Sequence, residues 1–204
     1  MSFDQFHLEM AASTWQLWCF AVMVLAMAMA VETDTRECRI PNVLVLFVLV
    51  SGVTLNVLGP VIGRGTPFGL APSALGAGDA LLGVLVGFAL FLPMYMLRAM
   101  GAGDVKLMAA LGAFAGPVEV IGLGLTILVA GGVLAVVRML WTRQSRRVLS
   151  NMATVFGGWY TGERFDPATQ SVGRMPYALA FALGLSAYSY WRFSGGAPLG
   201  QFLM

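Results

Sequence analysis

Charge is what this 204-residue chain has least of: Lys, Arg, Asp and Glu together make up 11% of it, where a soluble domain carries roughly a quarter. With 58% of the residues hydrophobic and a mean hydropathy of +0.80, a water-soluble globular fold is excluded and a lipid bilayer is the solvent that fits. The net charge of +2 offers no basic face to a nucleic acid, so no nucleic-acid partner is expected. Cysteine is scarce as well. Cys19 and Cys38 lack metal-ligand spacing, and Cys19 lies inside an apolar run, so neither a zinc site nor a disulfide framework is indicated. No metal and no cofactor is expected.

What is abundant is uncharged length. A helix crossing about 30 Å of hydrocarbon takes about 20 mostly apolar residues. The runs Met10 to Val31, Ile40 to Gly63, Ala80 to Leu97, Val120 to Val137 and Met175 to Trp191 reach or approach that length. Leu107 to Val118 becomes a sixth once Val105 and the residues before it are added, with Gly116-Pro117 as its stop. The expected fold is all-α: one polytopic membrane domain over 1–204 with six transmembrane helices at approximately 12–32, 42–62, 78–97, 104–117, 119–140 and 175–192. Ala28-Met29-Ala30 has the look of a signal-peptidase site. The segment before it, however, holds Asp4 and Glu9 and no Lys or Arg, so a permanent first helix is expected.

With the N-terminus outside, the loops after spans one, three and five hold ten of the twelve cations, among them Arg36, Arg39, Arg98, Lys106 and Arg138; only Arg64 and Arg192 fall on the other side. That imbalance is the positive-inside signature. His7 falls in an outer tail and reads as incidental. Between spans five and six, Val148, Leu149, Met152, Val155, Phe156, Trp159 and Tyr160 recur at helical spacing after a basic cluster. They predict an amphipathic helix over 148–160 on the cytoplasmic surface. The 13 Met and the tryptophans need only lipid packing and the aromatic belt to explain them.

An ionisable residue in or beside a span is costly unless paired or hydrated, which makes each one a functional candidate. Asp34 follows span one, and Asp104 ends the tetrapeptide Gly101-Ala102-Gly103-Asp104 at the start of span four. The same tetrapeptide recurs at 76–79, but there it opens span three on the outer side. Asp34 and Asp104 therefore share a face that Asp79 cannot reach, and Asp79 reads as a helix-start carboxylate complementing the dipole. Gly101 and Gly103, without Cβ atoms, allow a sharp turn and the close approach of another backbone. Two neighbouring carboxylates share one proton. Such a pair can hydrolyse a peptide, the ionised member activating water and the protonated member donating to the oxyanion.

Asp34 with Arg39-Ile40-Pro41-Asn42, and Gly101-Ala102-Gly103-Asp104-Val105-Lys106-Leu107-Met108-Ala109-Ala110-Leu111-Gly112, together resemble the type IV prepilin peptidases, intramembrane aspartic proteases of the GxGD group. Pro176-Tyr177-Ala178 is similar to the start of that family's last helix. The resemblance implies cleavage of short basic leaders from prepilin or pseudopilin precursors at the cytoplasmic face of a bacterial inner membrane. Asp34 and Asp104 would be the catalytic pair, Gly101 and Gly103 would shape the site, and the pilus assembly machinery would be a further partner. Larger members carry CxxC pairs and also methylate the new N-terminus. With no CxxC pair here, the chain resembles the peptidase-only form of tight-adherence (Flp-type) pilus systems.

Around the pair, Lys106 either tunes the site or is a snorkelling cation at a helix end. Arg36 and Arg39 could pair with Glu32 or Glu37, but their simplest role is to set topology, and Glu32 and Glu37 are the better candidates to attract a basic leader. Two rival readings exist. A proton-coupled transporter wants carboxylates at mid-membrane, and the central stretches of the spans have none. A non-enzymatic subunit of a pilus or secretion assembly would tolerate loss of either aspartate.

Overall fold

The computed structural model describes residues 3–37, 39–62, 76–97, 100–141, 177–197 and 199. They form five helices: α1 (Phe3–Glu37), α2 (Asn42–Ile62), α3 (Gly76–Met96), α4 (Ala102–Trp141) and α5 (Ala178–Phe193). Three stretches are long and apolar enough to cross a membrane, Leu17–Glu37, Gly76–Met96 and Ala102–Arg138, and Asn42–Leu58 is a shorter apolar helix. Cys38, the expected amphipathic helix at 148–160 and the loop after it lie outside the described residues.

Two departures from the expected boundaries have local causes. The first helix does not end with its apolar run but continues to Glu37, so Asp34 stands on a helix rather than in a loop. The extra turns are held from within: the Thr33 hydroxyl donates to the Met29 carbonyl at 2.9 Å, the Thr35 hydroxyl to that of Val31 at 2.7 Å, and Arg36 pairs with Glu32 at 2.9 Å. Expected spans four and five instead make one element, α4, broken at Gly116. Its φ of 78° and ψ of 174° lie where only glycine is unstrained.

At that break the chain turns back on itself. Gly124 is met by the Met108 side chain, sixteen residues earlier, which a straight helix would put about 24 Å away. Pro117, next to the break, cannot donate to the Ala113 carbonyl four residues before it. The donor comes from α2: the buried Asn56 side-chain amide reaches the Ala113 oxygen at 2.6 Å and its own helix's Gly52 oxygen at 3.1 Å. In an apolar surround an unpaired carbonyl is costly, so a polar residue in the middle of α2 is explained by a proline in α4.

The core sits where small residues let helices approach. Gly83 lies against Gly112, Gly87 against Met108 and Gly52 against Ala113 and Phe114, each too close for a Cβ without movement. The first two contacts run α3 antiparallel to the first half of α4. On the second half, Gly122 faces Tyr188 and Gly184 faces Ile127, so α5 is antiparallel to it. Phe91, Phe114, Phe181, Met23 and Leu107 are fully buried between the helices, while Leu25, Phe47, Leu85 and Trp141 point outward. An apolar exterior is what lipid-facing helices present.

Candidate active site

These directions gather the end of α1, the starts of α2, α4 and α5, and the end of α3 at one end of the bundle. Asp34 and Asp104 both stand there, both buried, and close enough for their charges to interact. Each is held by a backbone N–H. The Ala178 amide, in the first turn of α5, donates to Asp34 Oδ2 at 2.9 Å. The Gly101 amide donates to Asp104 Oδ2 at 3.0 Å. The Asp104 amide in turn donates to the Gly101 carbonyl at 3.2 Å, a reciprocal cap in which Asp104 closes the start of its own helix. Both carboxylates thus lie at positive helix ends, and Tyr177 is near enough to feel the Asp104 charge.

The two sequence motifs also meet through their other residues. Ile40 packs on Gly103, where a Cβ would lie 3.3 Å from Ile40 Cβ. Gly103 is therefore approached by a side chain of the other motif rather than by a second backbone. Neither Gly101 nor Gly103 has a positive φ; among the described residues that conformation is kept for Gly76, Gly116 and Gly195. Lys106 Nζ donates to Asn42 Oδ1 at 3.2 Å on the exposed rim, tying the start of α4 to that of α2. Glu32 and Glu37 are exposed on the last turns of α1, and Glu32 is engaged by Arg36.

Asp79 stands apart. It is exposed in the first turn of α3, and the pairing of Gly83 with Gly112 puts it near the Gly116 break, at the far end from Asp104. That far end also holds a charged group for which sequence reasoning has no role. Glu119, in the first turn after Pro117, is buried and clasped by Arg192 of α5, with Nη2 to Oε1 at 2.7 Å and Nε to Oε2 at 3.1 Å, while the Tyr188 hydroxyl donates to Oε2. Among the described residues every buried side-chain nitrogen and oxygen has a hydrogen-bond partner. The signal was available: Glu119 opens span five and Arg192 closes span six, so the same counting of sides that unites Asp34 with Asp104 unites these two.

Apolar helices that carry two interacting carboxylates to one end of a bundle have the donor set of a membrane aspartic peptidase, in which one shared proton and one water suffice for hydrolysis. The chain belongs to the type IV leader peptidase family, whose model matches residues 20–136, more than half of its length. This makes it a prepilin peptidase and an aspartic endopeptidase, with membrane helices. No curated protein and no solved structure matches the chain. The matched stretch includes Asp34, Gly101, Gly103, Asp104 and Lys106 and ends before α5, so the Ala178 amide on Asp34 comes from outside it.

Proposed function

We propose that this protein removes the short basic leader from prepilins or pilin-like precursors at the cytoplasmic face of a bacterial inner membrane, with Asp34 and Asp104 activating water. The observation that carries the reading is the meeting of the two carboxylates at one bundle end. One aspartate is ionised and takes a proton from water as the oxygen attacks the scissile carbonyl. Its protonated partner donates to the developing oxyanion. Collapse of the tetrahedral intermediate breaks the C–N bond, a proton passes to the leaving amine, and the leader departs as a carboxylate.

The packing of Ile40 on Gly103 keeps the motifs in register, and Lys106, held by Asn42, stands on the exposed rim of the same end. Glu37, with Glu32 beside it, gives the basic leader an anionic approach. The chain is a single domain with six spans and the N-terminus outside, a count supported by the reversal at Gly116 and by the distribution of basic residues. The absence of a CxxC pair supports a peptidase without N-methyltransferase activity, of the tight-adherence type.

The test is co-expression with a tagged pilin precursor from the same genome, following leader loss by gel shift and N-terminal sequencing. Wild type cleaves; Asp34→Asn and Asp104→Asn insert in the membrane and do not. Equal cleavage by all three would end the two-aspartate reading.

A further inference from the structure

Asp34 is the one member of the pair whose hydrogen-bond donor belongs to a distant part of the chain, 144 residues away. Where that donor stands depends on where α5 stands. α5 has 16 residues, so its two ends are about 24 Å apart. Its far end is fastened by Arg192 and Tyr188 to Glu119. Between the ends it runs against the second half of α4, where Gly184 admits Ile127 and the Thr126 hydroxyl reaches the Gly184 carbonyl at 3.3 Å. It also runs against α1, where Phe193 meets Phe20 edge to face, with ring centroids 5.5 Å apart.

A bidentate guanidinium–carboxylate pair fixes both distance and orientation, unlike an apolar contact, which can slide. Glu119 is itself anchored beside the Gly116 break, so the register of α5 is referred to the hairpin that carries Asp104. We propose that α5 is a positioning element for the reaction: the buried Glu119–Arg192–Tyr188 cluster sets the helix axially so that the Ala178 amide holds the Asp34 carboxylate facing Asp104. The inference rests on the reading of Asp34 as a catalytic residue. Glu119, Tyr188 and Arg192 touch neither substrate nor water in it; they act through α5.

The direct test removes the donor itself. A backbone ester at position 178, introduced by nonsense suppression with the α-hydroxy analogue of alanine, replaces the N–H by oxygen and leaves the side chain and helix in place. With the cognate precursor as substrate, kcat falls about tenfold or more while KM stays within about twofold, the pattern of a lost transition-state contact. Glu119→Gln and Arg192→Lys, assayed per folded molecule after purification, lower kcat in the same way, and combining either with the ester lowers it little further, because both act on one contact.

A merely structural cluster behaves differently: fewer folded molecules, each with wild-type kcat. That result, or wild-type kcat in the ester variant, overturns the proposal. Asp34→Asn in the same series separates the two levels. If it still cleaves, the catalytic reading of Asp34 has failed; if it is inactive while the ester is not, only the positioning role has.

Discussion

The two ends of the bundle each hold one copy of Gly-Ala-Gly-Asp, and they use carboxylates in opposite ways. At one end Asp34 and Asp104 are both buried and held by the backbone amides of Ala178 and Gly101. At the other, Glu119 is buried against the guanidinium of Arg192, and Asp79 is out in the open. A carboxylate clasped by a guanidinium serves as a fastener. Carboxylates held by neutral amides are, in the proposed reaction, the pair that shares a proton. What the tetrapeptide does is therefore decided by what its end of the bundle brings to it.

The sharpest way to break this comparison is to change the same letter in both copies. Asp104→Asn lowers cleavage of the precursor by about 10²- to 10⁴-fold, the range of a lost general acid or base. Asp79→Asn leaves it within twofold, roughly. Equal effects would mean that the tetrapeptide works by itself, wherever it stands. The fasteners answer to stability as well as to kcat. Removing the charge of Glu119 takes the counter-ion from a buried guanidinium, so Glu119→Gln costs about 3–5 kcal/mol, read by denaturant unfolding in detergent. Glu32→Gln, which breaks an exposed pair one turn long, costs about 0.5 kcal/mol or less.

How much of this was legible beforehand follows from which signals are local. Gly116-Pro117 as a stop is legible, because both residues act on their own backbone. The placing of Asp34 and Asp104 at one end of the bundle is legible from counting sides, a consequence of spanning length alone. The extension of α1 through Asp34 is not, since Glu32, Thr33, Thr35 and Arg36 read as loop residues until their hydroxyls and charges are seen bonding back along the helix. Six expected spans become five helices for a related reason: a glycine break can reverse a chain without an intervening loop. The Ala178 amide is invisible in sequence, because every residue but proline has one.

Asn56 lies between the legible and the hidden. A lone amide in an apolar run is a sequence oddity, and its reason is a proline on another helix. Asn56→Leu leaves the Ala113 carbonyl without its donor and costs about 1–3 kcal/mol, measured as a lowered unfolding midpoint. The loss is confined to stability, because Asn56 bonds the α4 break and its own helix rather than α5: purified, folded Asn56→Leu keeps wild-type kcat. A kcat loss matching that of Asp104→Asn would show the two ends to be one site.

The smallest expected effect is the finest test of the tetrapeptide comparison. A methyl group on Gly103 would lie 3.3 Å from Ile40 Cβ, whereas one on Gly78 meets nothing within 4 Å. Gly103 thus marks the place where two motifs press together, and its counterpart marks an open helix start. Gly103→Ala forces Ile40 aside by a few tenths of an ångström, costs about 1 kcal/mol of stability and lowers kcat/KM. Gly78→Ala has the opposite sign: with no neighbour to displace, alanine's higher helix propensity stabilises α3 by up to about 1 kcal/mol and leaves cleavage unchanged. Opposite signs from one substitution in two identical tetrapeptides would locate the difference in their neighbours, and equal signs would locate it in the motif.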